Sequence, residues 1–431
     1  MLARYFRFAE NQTNLTQEVL GGLTTFLTMS YIVIVNPQIL SQAGMPVDGV
    51  VFATCLSSAV ATLVMGLYAN YPIALAPGMS LNAYFTYSVC LGMHVPWRTA
   101  LGVVFFSGVL FFVLTVTRVR EQIVNGIPDC LKHATATGIG FFIAFVGLRN
   151  AKLVVANTAT FIGLGSFADH AVQMACFGLV LTLFLMTRKI NGAILIGIFG
   201  TALLGMLRGI SQWPAAIFSA PHPSSTFLQF DLRGAIHLGF LEILFAFLFV
   251  DLLDNVSTLV GVCEQGGFIK DGKIPRVGRA LLADATGTIF GSVAGTSTVT
   301  SYIESVAGIA AGARTGLSNV MVAALFLVAM FFSPLATAIP SYATAPALIL
   351  VGALMTQSIA HIDWREFSEA VPAFITMLAT PLTFSIATGL SLGLISYTVV
   401  KVAAGKFREI NPLIWILTIL FILRYIYLAI G

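Results

Sequence analysis

Long apolar stretches, separated by short polar or Gly/Pro-rich pieces, fill almost the whole chain. Seven of these runs lie in the first half of the sequence: 20–40, 48–69, 73–91, 99–117, 134–149, 170–187 and 191–208. Seven more lie in the second half: 237–262, 280–292, 295–312, 319–339, 343–358, 368–386 and 387–404. A membrane-spanning helix needs about 20 mostly apolar residues. The pattern therefore predicts an all-α integral membrane protein with about 14 transmembrane segments.

The remaining pieces divide the chain around two seven-run halves. Residues 1–19 form a polar N-terminus, 209–236 an amphipathic connector, and 405–431 a tail helix that either spans the membrane or lies on it. Because seven is an odd number, the half 237–404 enters the membrane from the side opposite to that of the half 20–208. The two halves are therefore predicted to be inverted repeats.

The composition and the distribution of charges indicate a membrane protein. Hydrophobic residues make up 58% of the chain and charged residues 9%, which leaves no part of it for a soluble domain. With alternating segments and a cytoplasmic N-terminus, sixteen Lys and Arg fall on the cytoplasmic side and five on the external side. This bias follows the positive-inside rule and predicts a multi-pass protein of the cytoplasmic membrane with a cytoplasmic N-terminus. The net charge of +4 gives no sign of nucleic-acid binding.

The sequence contains no motif for a metal, a cofactor or a nucleotide. Its five cysteines are scattered through apolar runs without a CxxC pair, and its six histidines lack metal-ligand spacing. It has no Walker motif, so ATP-driven transport is disfavoured. We therefore expect buried free thiols, no metal and no cofactor.

The third run of each half is interrupted by residues that weaken a helix. Pro77-Gly78 interrupts one run, and Gly295-Thr296-Ser297-Thr298 interrupts the other. Irregular backbone is tolerated at membrane depth only where protein or a watery cavity surrounds it. Broken segments at matching places in two inverted halves are the sequence feature that best indicates the substrate site of a transporter.

Three carboxylates within the apolar runs are candidate site residues. Asp251 and Asp254 lie three residues apart in the eighth run, which puts them on one helix face together with Asn255 and Thr258. Glu304 lies in the tenth run. A charged residue at the centre of a spanning helix costs roughly 2.5–3.5 kcal/mol on insertion scales. These side chains are therefore expected to line a polar cavity rather than to face lipid.

Polar side chains at the two breaks complete the predicted site. The third run supplies Ser80 and Asn82, whose amide can both donate and accept hydrogen bonds. The tenth run supplies a set of hydroxyl groups, on Thr296, Ser297, Thr298 and Ser301. If a helix begins at 295–298, its free backbone N–H groups suit an acceptor atom of a planar ligand. In such a helix Ser301 and Glu304 share one face.

Carboxylates that accept ring N–H groups, a pairing amide and nearby aromatic residues fit a neutral heteroaromatic solute. Two other functions stay open. An anion transporter or channel would need a cationic group between the two breaks. An intramembrane hydrolase could use Asp251 and Asp254 as an acid/base pair, although aspartates from two different helices would be better placed for that.

Four blocks of the chain resemble the AzgA-like purine permeases, a branch of the nucleobase-cation symporter superfamily that includes the xanthine/uracil permeases. In chain order these blocks are Gly21 to Pro37, Ala76 to Phe85, Phe249 to Asp254 and Gly295 to Ser305. The resemblance covers nearly the whole chain. It implies a uracil-transporter-like fold with short strands in segments 3 and 10. It also implies a core domain of segments 1–4 and 8–11 and a gate domain of segments 5–7 and 12–14.

The resemblance also implies a function and roles for single residues. Asn82, Asp251 and Glu304 match purine-binding positions, and Asp254 matches a carboxylate needed for proton coupling. The implied function is proton-coupled uptake of adenine, guanine or hypoxanthine by an elevator-like alternating-access mechanism. The implied partners are the purine, the coupling cation, membrane lipid and a second copy of the chain. The family more often has Gly at the position of Ser80, so the choice of purine stays open.

Overall fold

The structure, a computed structural model, is predominantly helical. It describes residues 2–117, 126–221, 225–236, 241–269 and 274–430, apart from the side chains of 241, 242, 253, 257 and 427–430. Among the described residues, each predicted apolar run corresponds to one or more helices, preceded by a strand in two of the runs. The start of the eighth run, 237–240, lies outside the described residues. We number these stretches segments 1 to 14 in chain order.

Segments 1 to 7 form the first half of the chain. They are Leu15–Met29 with Ile32–Ser41, Val47–Val64 with Met65–Ala69, β1 (Leu75–Pro77) with Met79–Ala83 and Tyr84–Gly92, Trp97–Val116, Asp129–Asn150, His170–Thr187, and Ala193–Leu207. A hairpin of β2 (Val154–Asn157) and β3 (Phe161–Leu164) joins segments 5 and 6.

Segments 8 to 14 form the second half. They are Leu241–Gln265, Val277–Ala294, β4 (Val299–Ser301) with Ser305–Ala310, Leu317–Ala329 with Met330–Phe332 and Ser333–Ala338, Ser341–Met355 with Thr356–His361, Phe367–Leu382, and Ile386–Ala403. Outside the segments lie Leu2–Tyr5, Leu232–Ala235, Phe407–Glu409 and the tail helix Pro412–Ile430.

Nine helices in the described ranges are long and apolar enough to cross a membrane, judged by length and composition. They belong to segments 1, 2, 4, 5, 6, 8, 11, 12 and 14, whereas segments 7 and 13 and the tail are shorter apolar helices. The prediction of a helical, multi-pass membrane protein is confirmed. The count of fourteen spans stays a prediction.

The two predicted breaks are short strands that meet each other. Strands β1 and β4 pair antiparallel, with Ala76 opposite Thr300. Beyond the ladder, the Gly78 N–H donates to the Thr298 carbonyl at 3.0 Å. In both segments the strand precedes the helical part, as two repeats of one architecture require.

A threonine on the preceding helix holds each strand in the same way. The Thr62 hydroxyl accepts a hydrogen bond from the Leu75 N–H at 3.0 Å and donates one to the Leu75 carbonyl at 2.9 Å. The Thr288 hydroxyl does the same for Val299, at 3.2 and 3.1 Å. These side chains satisfy backbone groups that a single pair of short strands leaves open.

The predicted helix start at 295–298 is wrong. Gly295 ends segment 9 with a φ of 102°, and the next helix in segment 10 begins only at Ser305. The intervening backbone pairs with segment 3 instead of with its own helical turn. As a result Ser301 lies on a strand and Glu304 at the N-terminal cap of a helix, so the two do not share a helix face.

The segments pack into two groups. Segments 1–4 and 8–11 pack mainly against one another, and segments 5–7 and 12–14 do likewise. In the first group a Cβ at Gly66 would lie 2.5 Å from the Gly316 carbonyl oxygen. In the second group a Cβ at Gly140 would lie 2.6 Å from the Gly352 carbonyl oxygen. Both groups therefore depend on glycine pairs that let two backbones touch, a common way of joining helices in membranes.

The tail helix runs antiparallel to segment 14 and is joined to it by hydroxyl pairs. The Thr398 and Thr418 hydroxyl oxygens lie 2.7 Å apart, and those of Ser391 and Tyr425 lie 2.6 Å apart. The tail thus belongs to the second packing group.

Candidate functional site

Buried polar side chains surround the contact between β1 and β4. Asn82 is completely buried, and its Oδ1 accepts a hydrogen bond from the Ser297 hydroxyl. Three atoms here lack a hydrogen-bond partner within the described part of the chain: Asn82 Nδ2, Thr298 Oγ1 and Ser301 Oγ. Leaving such a group unpaired in a protein interior costs about 1–3 kcal/mol. These three atoms are therefore candidate ligand contacts.

Segment 8 brings a carboxylate to the helical part of segment 3. Asp254 Oδ2 accepts a hydrogen bond from the Ser80 hydroxyl at 2.7 Å. Asp251, about one helical turn earlier, and Asn255 are both buried. The Asn255 amide has no hydrogen-bond partner among the residues that the structure describes. The polar stripe predicted on this helix thus lies inside the protein and reaches the broken segment 3.

Glu304 is held by segment 1 and lines a cavity. The Tyr31 hydroxyl donates to Glu304 Oε1 at 2.5 Å, and the Thr28 hydroxyl donates to the Glu304 backbone carbonyl at 3.4 Å. The cavity has a volume of about 380 Å³. Segments 1, 6, 7, 10 and 12 bound it, and the turn between segments 6 and 7 contributes Lys189 and Asn191. Glu304 therefore faces the boundary between the two packing groups.

Tyr302 joins the ends of the two strands. Its hydroxyl donates to the Pro77 carbonyl at 2.6 Å, which ties the end of β4 to the end of β1. Both Glu304 and Asp254 are close enough to act electrostatically on its phenol. Through Ser80 and Asn82, segment 3 thus bonds to Asp254 and to Ser297 just before β4, and Glu304 follows just after β4.

Three polar residues of this region, Asn36, Tyr31 and Tyr302, were not predicted from the sequence. Asn36 Nδ2 donates to the hydroxyls of Thr54 at 2.8 Å and Thr296 at 2.9 Å, so the Thr296 hydroxyl already has a protein partner. Tyr31 and Tyr302 hold the two ends of the site. The sequence shows an asparagine and tyrosines inside apolar runs. Residue type alone does not identify the residue to which each one forms a hydrogen bond.

The chemistry of the site is that of carboxylates, amides and hydroxyls. In the described ranges no three His, Cys, Asp or Glu side chains are close enough to hold a metal ion. All five cysteines are free thiols. The arrangement can hold a neutral polar ring by hydrogen bonds.

Comparisons with a family profile and with known sequences identify the same family of permeases. The profile of a permease family, the xanthine/uracil permeases, matches residues 16–424. A protein of Methanocaldococcus jannaschii named as a permease is 56% identical over 99% of this chain and 98% of its own. The guanine/hypoxanthine permease PbuO of Bacillus subtilis is 46% identical over 97% of this chain and 99% of its own. The adenine permease AdeP of Escherichia coli is 42% identical over 99% of this chain and 96% of its own.

Solved structures share the fold at low sequence identity. The transmembrane domain of the cyanobacterial bicarbonate transporter BicA superposes with a TM-score of 0.62 at 14% identity, over 87% of this chain and 97% of that one. At such an identity the likeness shows the fold alone. The sequence relatives are permeases and not enzymes, so the hydrolase reading is set aside. From the family profile and these relatives together, the chain belongs to the xanthine/uracil permease family.

Proposed function

We propose that this protein is a secondary active transporter that carries purine nucleobases across the cell membrane, with its N-terminus in the cytoplasm. The observation that carries the proposal is the set of buried carboxylate and amide groups near the paired strands β1 and β4. Asp251 and Glu304 can accept ring N–H groups, and Asn82 Nδ2, which lacks a partner in the described structure, can donate to an acceptor on the ring edge of a neutral purine. The guanine/hypoxanthine and adenine permeases among the relatives support this substrate class.

The hydroxyls of the site have two proposed roles. Thr298 and Ser301, whose oxygens lack a protein partner in the described structure, contact the purine directly. Ser80, Ser297 and Thr296 already bond to Asp254, Asn82 and Asn36, so they orient the ligand groups. This division refines the expectation that all five bind substrate.

The cycle is proposed to be an elevator-like movement of a core domain against a gate domain. The two packing groups, segments 1–4 with 8–11 and segments 5–7 with 12–14, support this division. The contacts between them include a hydrogen bond from the Thr344 hydroxyl to Gln38 Oε1 and one from the Ser88 hydroxyl to the Phe384 carbonyl. Such polar contacts at a domain boundary can be exchanged when one domain slides. A homodimer, implied by the family resemblance, is part of the proposal.

Protons are proposed as the coupling cation, with Asp254 as the proton carrier. The fold is shared with a bicarbonate transporter, yet the polar side chains described at the crossing are carboxylates, amides and hydroxyls. An anion would be repelled by ionised carboxylates. The chemistry therefore favours a neutral purine that moves together with a proton.

Uptake into vesicles tests the proposal. Membrane vesicles that contain the protein are expected to accumulate radiolabelled hypoxanthine, guanine or adenine when the outside is made acidic. Excess unlabelled purine should compete, uracil should compete poorly, and vesicles without the protein should not accumulate label. The absence of uptake and exchange for all three purines would contradict the proposal.

A further inference from the structure

Segment 1 runs beside the broken part of segment 10 and bonds to both of its ends. Before β4, Asn36 Nδ2 donates to the Thr296 hydroxyl at 2.9 Å. After β4, the Tyr31 hydroxyl donates to Glu304 Oε1 at 2.5 Å. Asn36 and Tyr31 are both completely buried. Segment 1 therefore holds the piece of segment 10 that ends in the candidate acceptor Glu304.

Tyr31 lies where the helix of segment 1 is interrupted. The helix Leu15–Met29 ends just before it, and the helix Ile32–Ser41 begins just after it. The Tyr31 carbonyl accepts hydrogen bonds from the Ile34 and Val35 N–H groups, both at 3.0 Å. A tyrosine side chain has two χ angles, so a buried tyrosine on a fixed backbone presents its hydroxyl at a well-defined point.

The Glu304 side chain has more freedom than its backbone. The Glu304 carbonyl accepts hydrogen bonds from the Ala307 N–H at 3.0 Å and from the Thr28 hydroxyl at 3.4 Å, which fix the backbone. Several rotatable bonds separate the carboxylate from that backbone, so a bond to the carboxylate itself selects its orientation. A carboxylate has about four lone-pair sites. With Oε1 bonded to Tyr31, Glu304 keeps the capacity to accept a second donor.

Two tyrosines lie near this carboxylate, and they serve different partners. A tyrosine hydroxyl has one proton to donate. Tyr302 donates its proton to the Pro77 carbonyl at 2.6 Å, so this hydroxyl holds the strand pair together. Tyr31 donates its proton to Glu304. Tyr31 is therefore the tyrosine that orients the carboxylate.

We infer that Tyr31 is a positioning residue for purine binding, which acts by holding the Glu304 carboxylate in the orientation that accepts a purine N–H group. The inference rests on the proposed purine transport and on Glu304 as a ligand group. Without the hydroxyl, the carboxylate has to be ordered at the moment the purine binds, and ordering a side chain on binding lowers affinity.

Removal of this one hydroxyl tests the inference. Equilibrium binding of labelled adenine, guanine and hypoxanthine is measured on purified protein in lipid nanodiscs for the wild type and for Tyr31→Phe. The variant keeps the buried ring. It is expected to bind the preferred purine roughly ten-fold more weakly, because a hydrogen bond to a charged group is lost. Tyr31→4-aminophenylalanine returns an N–H donor to the same place and should restore the wild-type affinity.

Thr28→Val is the matched control. The Thr28 hydroxyl also joins segment 1 to Glu304, but it bonds to the backbone carbonyl and not to the carboxylate. Valine keeps the shape of the side chain, so purine affinity should equal that of the wild type. Equal losses in Thr28→Val and Tyr31→Phe would mean that a looser contact between segments 1 and 10 lowers the affinity, and the inference would be wrong.

A double-mutant cycle shows whether Tyr31 acts through Glu304. In Glu304→Gln the Tyr31 hydroxyl faces a neutral amide, and a hydrogen bond between neutral groups contributes less than one to a charged group. In that background Tyr31→Phe is expected to weaken binding by only about two- to three-fold. The same ten-fold loss in both backgrounds would show that the hydroxyl acts independently of the carboxylate, which would overturn the inference.

The remaining outcomes separate this inference from the proposed function. A wild type that binds none of the three purines contradicts the proposed function itself. Wild-type affinity in Tyr31→Phe refutes the positioning role and leaves purine transport standing. If Tyr31→Phe does not fold, or if the Glu304→Gln background binds too weakly to measure, Tyr31→4-aminophenylalanine decides. Wild-type affinity in that variant supports the positioning role, and weak binding by the folded variant refutes it.

Discussion

Glu304 and Asp251 offer carboxylate oxygens inside the protein, and amide substitution keeps their shape while it removes the charge. Glu304→Gln and Asp251→Asn are each expected to weaken purine binding roughly ten- to a hundred-fold, because a hydrogen bond to a charged group contributes about 1.5–3 kcal/mol. Equilibrium binding to purified protein measures the loss. Asp363→Asn is the control, since Asp363 lies in an exposed loop and bonds to the Arg365 N–H. Unchanged affinity in Glu304→Gln or Asp251→Asn would remove that residue from the site.

For single residues, the sequence predicted which charged side chains do not face lipid. A carboxylate such as Asp251 or Asp254 within an apolar run is too costly to face lipid, so it indicates an internal cavity. Tyr31 carries no such signal, because a tyrosine can bury its ring in many surroundings. Its role depends on Glu304, which is 273 residues away in the chain. Residue type alone does not reveal a partner at that separation.

The breaks in the helices could be predicted from the sequence, because the local residue types determine where a helix cannot continue. Proline and glycine at Pro77-Gly78 and Gly295 exclude a continuous helix, so both breaks could be found without a structure. What replaces the helix could not be derived in the same way. The strand 299–301 pairs with the strand Leu75–Pro77 of the other half. The local pattern therefore predicted a helix start at 295. The structure instead has a strand at 299–301 that pairs with a distant part of the chain.

The threonines that hold the two strands give a prediction at the level of elements. Thr62→Val and Thr288→Val each remove a buried hydroxyl and leave one N–H and one carbonyl of a strand without a partner. Each is expected to lower the free energy of unfolding by about 1–3 kcal/mol. Thermal unfolding in detergent and purine uptake measure the effect. Both should fall, because the strands position the site.

Thr24→Val is the control for this pair, since the Thr24 hydroxyl is exposed and bonds to the Leu20 carbonyl of its own helix. Its thermal midpoint should stay close to that of the wild type. If Thr62→Val and Thr288→Val unfold like Thr24→Val, the two hydroxyls do not hold the strands. If only one half is affected, the two repeats are not equivalent in stability.

For the whole molecule, the apolar pattern and the charge bias predicted a multi-pass helical membrane protein. The same pattern did not predict how the segments group. Periodicity shows which residues are apolar, and in lipid the outer surface of the protein is as apolar as its interior. The packing depends on small residues such as Gly66 with Gly316 and Gly140 with Gly352, which meet across the two halves. The division into two groups was expected only from the family resemblance.

The coupling of the transport cycle to protons is a property of the whole molecule, and Asp254 is where it can be tested. Asp254 accepts a hydrogen bond from Ser80 at 2.7 Å, and Asp251 lies one helical turn away. Two neighbouring carboxylates inside a protein do not readily ionise together, so one of them is suited to carry a proton. In Asp254→Asn the amide oxygen can still accept a hydrogen bond from the Ser80 hydroxyl, so the substrate site should keep its shape.

The Asp254→Asn variant is expected to bind purine and to exchange labelled for unlabelled purine across proteoliposomes, because exchange needs no net proton movement. It should lose accumulation driven by an acidic exterior, and purine addition should no longer cause a proton influx. Asp363→Asn, reconstituted in the same lipid, should behave like the wild type in all three assays. A variant Asp254→Asn that still moves protons with purine would assign the coupling to another group, and Asp251 and Glu304 are the next to test by the same measurement.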